Sequence, residues 1–451
     1  MKSQTLYYDD ELVFYKNLFI LKASKFYYFI YNPLLHTSFR LQIESADTEL
    51  DVDNNIQTLI DNDILTRDYV DSYEVCDYLI NTVRYNNSVV TITDLSSYNC
   101  NLSCVYCMQQ NTPMPSAALT PHERAQGWKV IKELFGANSI NLSLFGGEPF
   151  FDPAFVEEML LKSYDLGLVF DSISAVTNGT ILNDKIVNMI NIYPFTQLQI
   201  TLDGLSNVHD KRRFFKKDKS KTFNVIVNNI SILLKQTNVK IILNTVIDFT
   251  NINEYSRLIA YLKEVFTNYI FCDEPRIIFN IGNECNPFEI CEFTSVNSLS
   301  NTNNFIKYYE LYAEIFREGI PMIMFLPSII CIKDLPNEII LSPNGDLYSC
   351  ITGVGHKDFH VCSIDDIIAR PADAFASIVK SKRTRKGFGC YSCQYYGMCS
   401  GGCEYNKNNL HLETSCQKPF FDMCIKKIIE ILSELEEIQP HVYRIRKNLN
   451  V

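Results

Sequence analysis

Long hydrophobic runs are missing from this chain of 451 residues, in which no uninterrupted apolar stretch approaches the ~20 residues needed to span a bilayer. The N-terminal residues, from Met1 to Asp10, also lack the apolar segment of a secretory signal. Both absences predict a cytoplasmic protein with no membrane partner. Positive charge is scarce as well. The formal net charge is -11, and basic runs such as Lys211-Arg212-Arg213 and Lys382-Arg383-Thr384-Arg385-Lys386 read as solvated surface. A nucleic-acid groove needs a concentrated basic footprint, so no nucleic-acid partner is expected. Cysteine, in contrast, is plentiful, with 16 in the chain. Without a route to an oxidising compartment, so many thiols point to metal binding over disulfides.

Three of them stand together as Cys100, Cys104 and Cys107, with Tyr106 just before the last. Thiolates at this spacing can hold three corners of one 4Fe-4S cluster and leave the fourth iron open to a small molecule. Chance would give these offsets only about 0.02 times in a chain of this composition. A structural zinc ion competes for such thiols, but it normally takes four ligands, and the next cysteine is Cys272.

The length allows two or three domains, and 47% apolar residues are enough for large cores. Residues 1–85 combine β-prone runs at Leu12–Tyr15, Leu18–Leu21 and Tyr27–Tyr31 with helical apolar spacing at Ile56, Leu59, Ile60 and Ile64 and at Val75, Leu79, Ile80 and Val83. They predict a small meander followed by helices. Residues 86–290 alternate strands and helices. The strands are expected at Val89–Thr93, Ile140–Phe145, Ser172–Val176, Leu198–Leu202 and Ile241–Val246, with amphipathic stretches at 123–135, 155–164 and 222–234 between them. Repeated βα units imply a parallel sheet or barrel whose active site gathers at the C-terminal strand ends, and the three cysteines follow the first strand. A polar linker is expected at 291–320 and a cysteine-rich domain at 321–451.

Cys-x3-Cys-x-aromatic-Cys resembles the signature of the radical S-adenosylmethionine (SAM) superfamily. The resemblance implies an α/β fold, a partial (β/α)6 barrel, in which SAM binds the open iron and one-electron reduction yields a 5′-deoxyadenosyl radical. Gly146-Gly147-Glu148, after a predicted strand, is similar to the family's Gly-Gly-Glu motif, whose carboxylate would meet the SAM ammonium group. By the same resemblance Asn178 would meet the SAM ribose, Arg213 the SAM carboxylate, and Tyr106 would join the cofactor site. His209 reads as a loop brace more readily than as a base.

The tail continues the pattern. Cys390, Cys393, Cys399 and Cys403, with Cys331, Gly345 and Cys350 upstream, resemble the SPASM domain of radical SAM enzymes that modify peptides and proteins. The resemblance implies two auxiliary 4Fe-4S clusters, three clusters in all. Cys331, Cys350 and Cys403 would ligate the first, which could keep an open iron or be closed by Cys272, Cys285 or Cys291. Cys390, Cys393 and Cys399 would ligate the second with Cys416 or Cys424, of which Cys424 fits slightly better as the start of a helix. Cys76 and Cys362 read as packed core thiols.

The N-terminal module resembles the winged-helix-like leader-recognition element of enzymes acting on ribosomal precursor peptides, where a strand edge could bind an unstructured leader. The expected activity is that of a peptide maturase making thioether or carbon-carbon cross-links, supplied with electrons by flavodoxin or ferredoxin. The alternative is an anaerobic sulfatase-maturing (formylglycine-generating) enzyme. In that family an aspartate often follows the cysteine matching Cys350, and here Ile351 occupies the position.

Overall fold

A computed structural model describes residues 6–9, 12–15, 18–24, 27–32, 37–42, 56–61, 84–107, 117–248, 250–283, 302–323, 331–382 and 418–438, together with 78, 81, 82, 109, 115, 390, 393–396, 399, 402, 404, 405 and 416. The N-terminal part is an antiparallel meander of β1 (Leu6–Asp9), β2 (Leu12–Tyr15), β3 (Leu18–Ser24), β4 (Tyr27–Asn32) and β5 (Thr37–Gln42), in sequential order. It has five strands where three were legible, because the polar Thr37–Gln42 and short Leu6–Asp9 carry little β signal of their own. The helix α1 (Ile56–Asp61) follows.

The central region then alternates β6 (Val89–Leu95), α2 (Pro121–Phe135), β7 (Ser139–Phe145), α3 (Pro153–Asp165), β8 (Phe170–Thr177), α4 (Asp184–Ile192) and β9 (Phe195–Thr201). It continues with α5 (Ser206–Arg212), α6 (Phe223–Gln236), β10 (Lys240–Ile247), α7 (Tyr255–Ile270), β11 (Ile277–Asn283) and α8 (Thr302–Arg317). Strands β6 to β11 pair in parallel and in sequence, which gives the expected six βα units. Local chemistry starts and stops the helices. Thr120 and Glu123 form a capping box at α2, Pro121 takes its first turn, and Gly136 ends it in the left-handed region. The stretch expected to be linker contains α8, whose polar N-terminal residues hide the helical period of Leu311, Ile315 and Phe316.

The sheet does not stop at the barrel. β12 (Glu338–Leu341) pairs in parallel with β6, and β13 (Asp346–Tyr348) and β14 (His360–Ser363) extend it antiparallel. The tail adds α9 (Ile364–Ala369), α10 (Pro371–Ser381) and α11 (Lys418–Ile438). Helix α11 packs on α8 and also touches β3, so the tail and the N-terminal meander meet there. A small apolar cluster of Leu95, Ile340 and Val354, flanked by Tyr98, Phe145, Ile332, Tyr348 and Ile351, joins β6 and β7 to the tail. Among the described residues, no helix is long and apolar enough to cross a membrane.

One buried ion pair fastens this junction. Arg124 of α2 donates to Asp94 Oδ2 (2.8 Å) and to the carbonyls of Ser342 (3.1 Å) and Pro343 (2.9 Å) in the turn after β12. Trp128 Nε1 donates to the same Asp94 oxygen (2.8 Å).

Candidate functional site

Directly beyond β6, residues 97–107 form a loop whose backbone is gripped from two sides. On one side Gly147 N donates to Ser97 O (2.9 Å) and Glu148 N to Asn99 O (2.8 Å). On the other, Ser103 N donates to Phe214 O (3.0 Å), Val105 N to Arg212 O (3.0 Å) and Lys216 N to Asn101 O (2.8 Å). A loop without regular structure thus has its polar backbone satisfied by the segment after β7 and the segment at the end of α5, which fixes where its thiols stand. Cys100, Cys104 and Cys107 lie within electrostatic reach of one another. Burial pushes the Cys104 thiol up to about 11, opposed by the Arg213 guanidinium and reinforced by the other two thiols. Burial also raises the Cys100 thiol, against hydrogen bonds from Leu102 N and the Asn178 amide.

Gly146 and Gly147 serve this grip by having no side chains. A Cβ on Gly147 would lie 2.2 Å from Asn99 O, and one on Gly146 2.4 Å from Ser97 O. Their close approach is to the cysteine loop's backbone. Glu148 is fully buried and accepts from Thr177 Oγ1 (2.6 Å), Asn178 N (2.7 Å) and Phe150 N (3.1 Å). Burial still raises its pKa against those bonds. Asn178, at the end of β8, joins Asn101 and Thr180 in a ring of side-chain hydrogen bonds beside Cys100.

Arg212 and Arg213 are buried, contrary to the reading of their run as solvated charge. Carboxylates at the ends of β9 and β10 account for it. Arg212 contacts Asp248 Oδ2 (2.6 Å) and Asp203 Oδ2 (3.5 Å), and its guanidinium lies 4.9 Å from the centre of the Tyr106 ring. The Tyr106 hydroxyl donates to Asp203 Oδ2 (2.5 Å) and accepts from Arg213 (2.8 Å). Arg213 Nε is buried and finds no partner among the described residues. Three neighbouring thiols beside a buried cation with an unused donor suit an iron-sulfur cluster carrying an anionic co-ligand. Asp203, Asp248 and Arg212 were not assigned to the site from the sequence, although Asp203 follows a predicted strand directly and so carried a signal. Lys382 is also buried, and it donates to the Glu338 carbonyl. Burial lowers its pKa to about 8. The rest of its run lies outside the described residues.

His209 is the brace it was expected to be. Its Nδ1 accepts from Asp203 N (3.1 Å), so the neutral ring carries its proton on Nε2, facing Thr222 Oγ1 (3.0 Å). Burial lowers its pKa to about 4. An unfolded histidine near 6.5 binds a proton that the folded ring refuses, so stability is full above that pH and falls as pH drops toward 4. This histidine should contribute about 2 kcal/mol of the stability lost between pH 7 and pH 5. Urea unfolding of the wild type and His209→Gln at both values checks it, and an equal loss in both proteins would exclude the contribution.

In the tail, Cys331, Cys350, Cys390, Cys393 and Cys399 are all half-buried, and Cys416 is exposed. Backbone hydrogen bonds tie the described cysteines together, with Cys393 N donating to Cys390 O (3.0 Å) and Cys399 N to Tyr395 O (2.8 Å). Burial raises the Cys393 thiol, and Cys399 and Cys416 push it further, so these three are neighbours. Tyr395 stacks on Phe421 of α11 (5.0 Å between ring centres) and donates to Asp422 (2.8 Å), which seats the turns on that helix. Cys403, Cys76, Cys285, Cys291 and the side chain of Cys424 lie outside the described residues. Cys272 is exposed after α7, and Cys362 is buried in β14, its thiol pushed by burial up to about 12.

The Radical SAM superfamily matches residues 95–262. The cysteine-type anaerobic sulfatase-maturating enzyme of Clostridium novyi (strain NT) is 24% identical over 380 residues, covering 75% of this chain and 96% of that protein. The sporulation killing factor maturation protein SkfB of Bacillus subtilis (strain 168) is 25% identical over 162 residues, 36% of each chain. Among solved structures, anSMEcpe with bound AdoMet superposes with a TM-score of 0.60 at 15% identity, covering 78% of this chain and 100% of the other. SuiB of Streptococcus suis, also solved bound to its precursor peptide SuiA, gives 0.50 at 14% identity over 87% of this chain and 95% of the other. The six βα units, the cysteine loop at the end of the first and these matches agree: the chain is an enzyme with a radical SAM domain at residues 95–262, similar to the maturases just named.

Proposed function

We propose that this enzyme is a peptide maturase that removes a hydrogen from a residue of a ribosomally made precursor peptide and closes a thioether or carbon-carbon cross-link. One observation carries the reading: the loop of Cys100, Cys104 and Cys107 is clamped between Gly146–Glu148 and Arg212–Lys216, with the unused Arg213 donor beside it. A cluster on these thiols, with SAM, supplies the radical. The residues around it hold the loop, place a cation and exclude water. Arg213 would face the SAM carboxylate, Glu148 the ammonium end, and Tyr106 would keep Arg213 in place.

Two further clusters are proposed in the tail, one on Cys331, Cys350 and Cys403, the other on Cys390, Cys393 and Cys399 with a fourth cysteine. Cys416, a neighbour of Cys393, or Cys424 would take that role. They would take up the electron released as the cross-link closes, and flavodoxin or ferredoxin would supply the first one. A leader peptide could add to the edge of β5, which among the described residues pairs only with β4. The sulfatase-maturing alternative draws support from the Clostridium novyi relative, matched over nearly its whole length, and is opposed by Ile351.

Anaerobically reconstituted protein given SAM and dithionite should form 5′-deoxyadenosine, and Cys100→Ala should reduce it to background. A short peptide encoded beside its gene should lose two hydrogens per cross-link by mass spectrometry. Absence of 5′-deoxyadenosine would remove both enzyme readings. Conversion of a sulfatase cysteine to an aldehyde, with no change in the peptide, would select the alternative.

A further inference from the structure

We propose that Asn178 is a positioning residue whose side-chain amide donates a hydrogen bond to the Cys100 sulfur and raises the reduction potential of the cluster held there. The inference rests on the reading of Cys100 as a cluster ligand.

The geometry fixes which way the amide faces. Asn178 Oδ1 accepts from Thr180 N (2.9 Å) and Thr180 Oγ1 (2.6 Å), which uses both of its lone pairs. Its NH2 group must then point the other way, where one hydrogen meets Asn101 Oδ1 (2.8 Å) and the other faces Cys100 Sγ (3.7 Å). Asn101 Nδ2 donates to Thr180 Oγ1 (2.8 Å) and closes a ring of three side chains. Flipping the Asn178 amide would set its NH2 against Thr180 N and its oxygen against Asn101 Oδ1. The backbone is pinned as well, because Asn178 N donates to the buried Glu148 carboxylate (2.7 Å).

Among the described residues, Asn178 is the side chain that donates to a thiol of the motif, and Leu102 N adds a second donor to the same sulfur (3.4 Å). Cys104 and Cys107 receive no comparable side-chain donor among the described residues. An N–H dipole aimed at a ligating sulfur stabilises negative charge on it. Reduction adds negative charge, so the reduced cluster gains more than the oxidised one and the potential rises.

The test is an anaerobic potentiometric titration of the reconstituted full chain, following the EPR signal that responds to SAM, alongside iron content and SAM binding to the oxidised protein. Asn178→Leu removes the donor at similar volume, and Thr180→Val opens the ring while leaving Asn178 in place. Loss of a hydrogen bond of ordinary strength should lower the reduced-to-oxidised ratio at fixed potential about five- to tenfold in Asn178→Leu, and less in Thr180→Val. SAM affinity should hold in Thr180→Val. Unchanged ratios at full iron content would overturn the proposal, as would weakened SAM binding at an unchanged ratio, which marks a contact with the SAM ribose. If Asn178→Leu cannot hold the cluster, Thr180→Val decides by the same criterion. A wild-type chain that takes up no cluster would overturn the inference together with the function proposed above.

Discussion

Replacing Gly147 with alanine is expected to cut 5′-deoxyadenosine formation by about 10²-fold and to lower the iron retained per chain, while the barrel stays folded. The new Cβ would stand 2.2 Å from Asn99 O, 2.5 Å from Tyr98 O and 2.6 Å from Asn99 C. All three are backbone atoms, so no side chain can swing aside. The loop must back away, and the bonds from Gly147 N to Ser97 O and from Glu148 N to Asn99 O go with it. Since Cys100 follows Asn99 directly, the retreat moves a thiol, and displacements near 1 Å cost catalysis about this much. Gly167→Ala is the control. Its φ is positive (72°), a strain that Gly147 does not carry, yet nothing lies within 4 Å of its Cβ position. Iron-to-protein ratio, initial rate and circular dichroism of the three proteins check the expectation, and a Gly147→Ala enzyme with wild-type rate would refute it.

Arg124→Met should destabilise the cluster-free chain by about 3–5 kcal/mol, the cost of leaving a buried carboxylate without its cation. Both side chains of the pair are wholly buried. Without Arg124, Asp94 keeps only the Trp128 indole N–H as donor among the described residues, while the Ser342 and Pro343 carbonyls still accept from Gly345 N (3.2 Å) and Leu119 N (2.9 Å). Adding Asp94→Leu to Arg124→Met should recover most of the loss, because two apolar side chains remove the orphaned charge and leave only the Trp128 indole N–H without its acceptor. Urea unfolding at pH 7 under reducing conditions measures all three variants. A double variant no more stable than Arg124→Met would show that the pair itself, and not the stranded carboxylate, carries the energy.

What could be read from the sequence is what local rules govern. Strand and helix periods are short-range, so five of the six barrel strands and the place of the cysteine loop after the first were legible. β11 was not picked out, since Ile277 to Asn283 is a short run with glycine and asparagine inside it. The parallel pairing of β12 with β6 joins residues about 250 positions apart in the chain, and nothing in Glu338–Leu341 names its partner. Charge shows the same limit. Arg212 and Arg213 looked like surface because their counter-ions, Asp203 and Asp248, come from other strand ends. Gly146 and Gly147 were legible as a place of close approach. What approaches them, the carbonyls of residues 97–99, was not.

The apolar cluster of Leu95, Ile340 and Val354 bears on modularity. Its flanking residues Ile332 and Ile351 stand next to Cys331 and Cys350, while Tyr98 precedes Cys100 by two positions and Phe145 precedes the Gly146-Gly147 pair. One small wall thus backs the loops of the barrel and the tail together. A tail grafted onto a foreign barrel would arrive without half of that wall, and chimaeras of such enzymes should function only when the graft carries both halves.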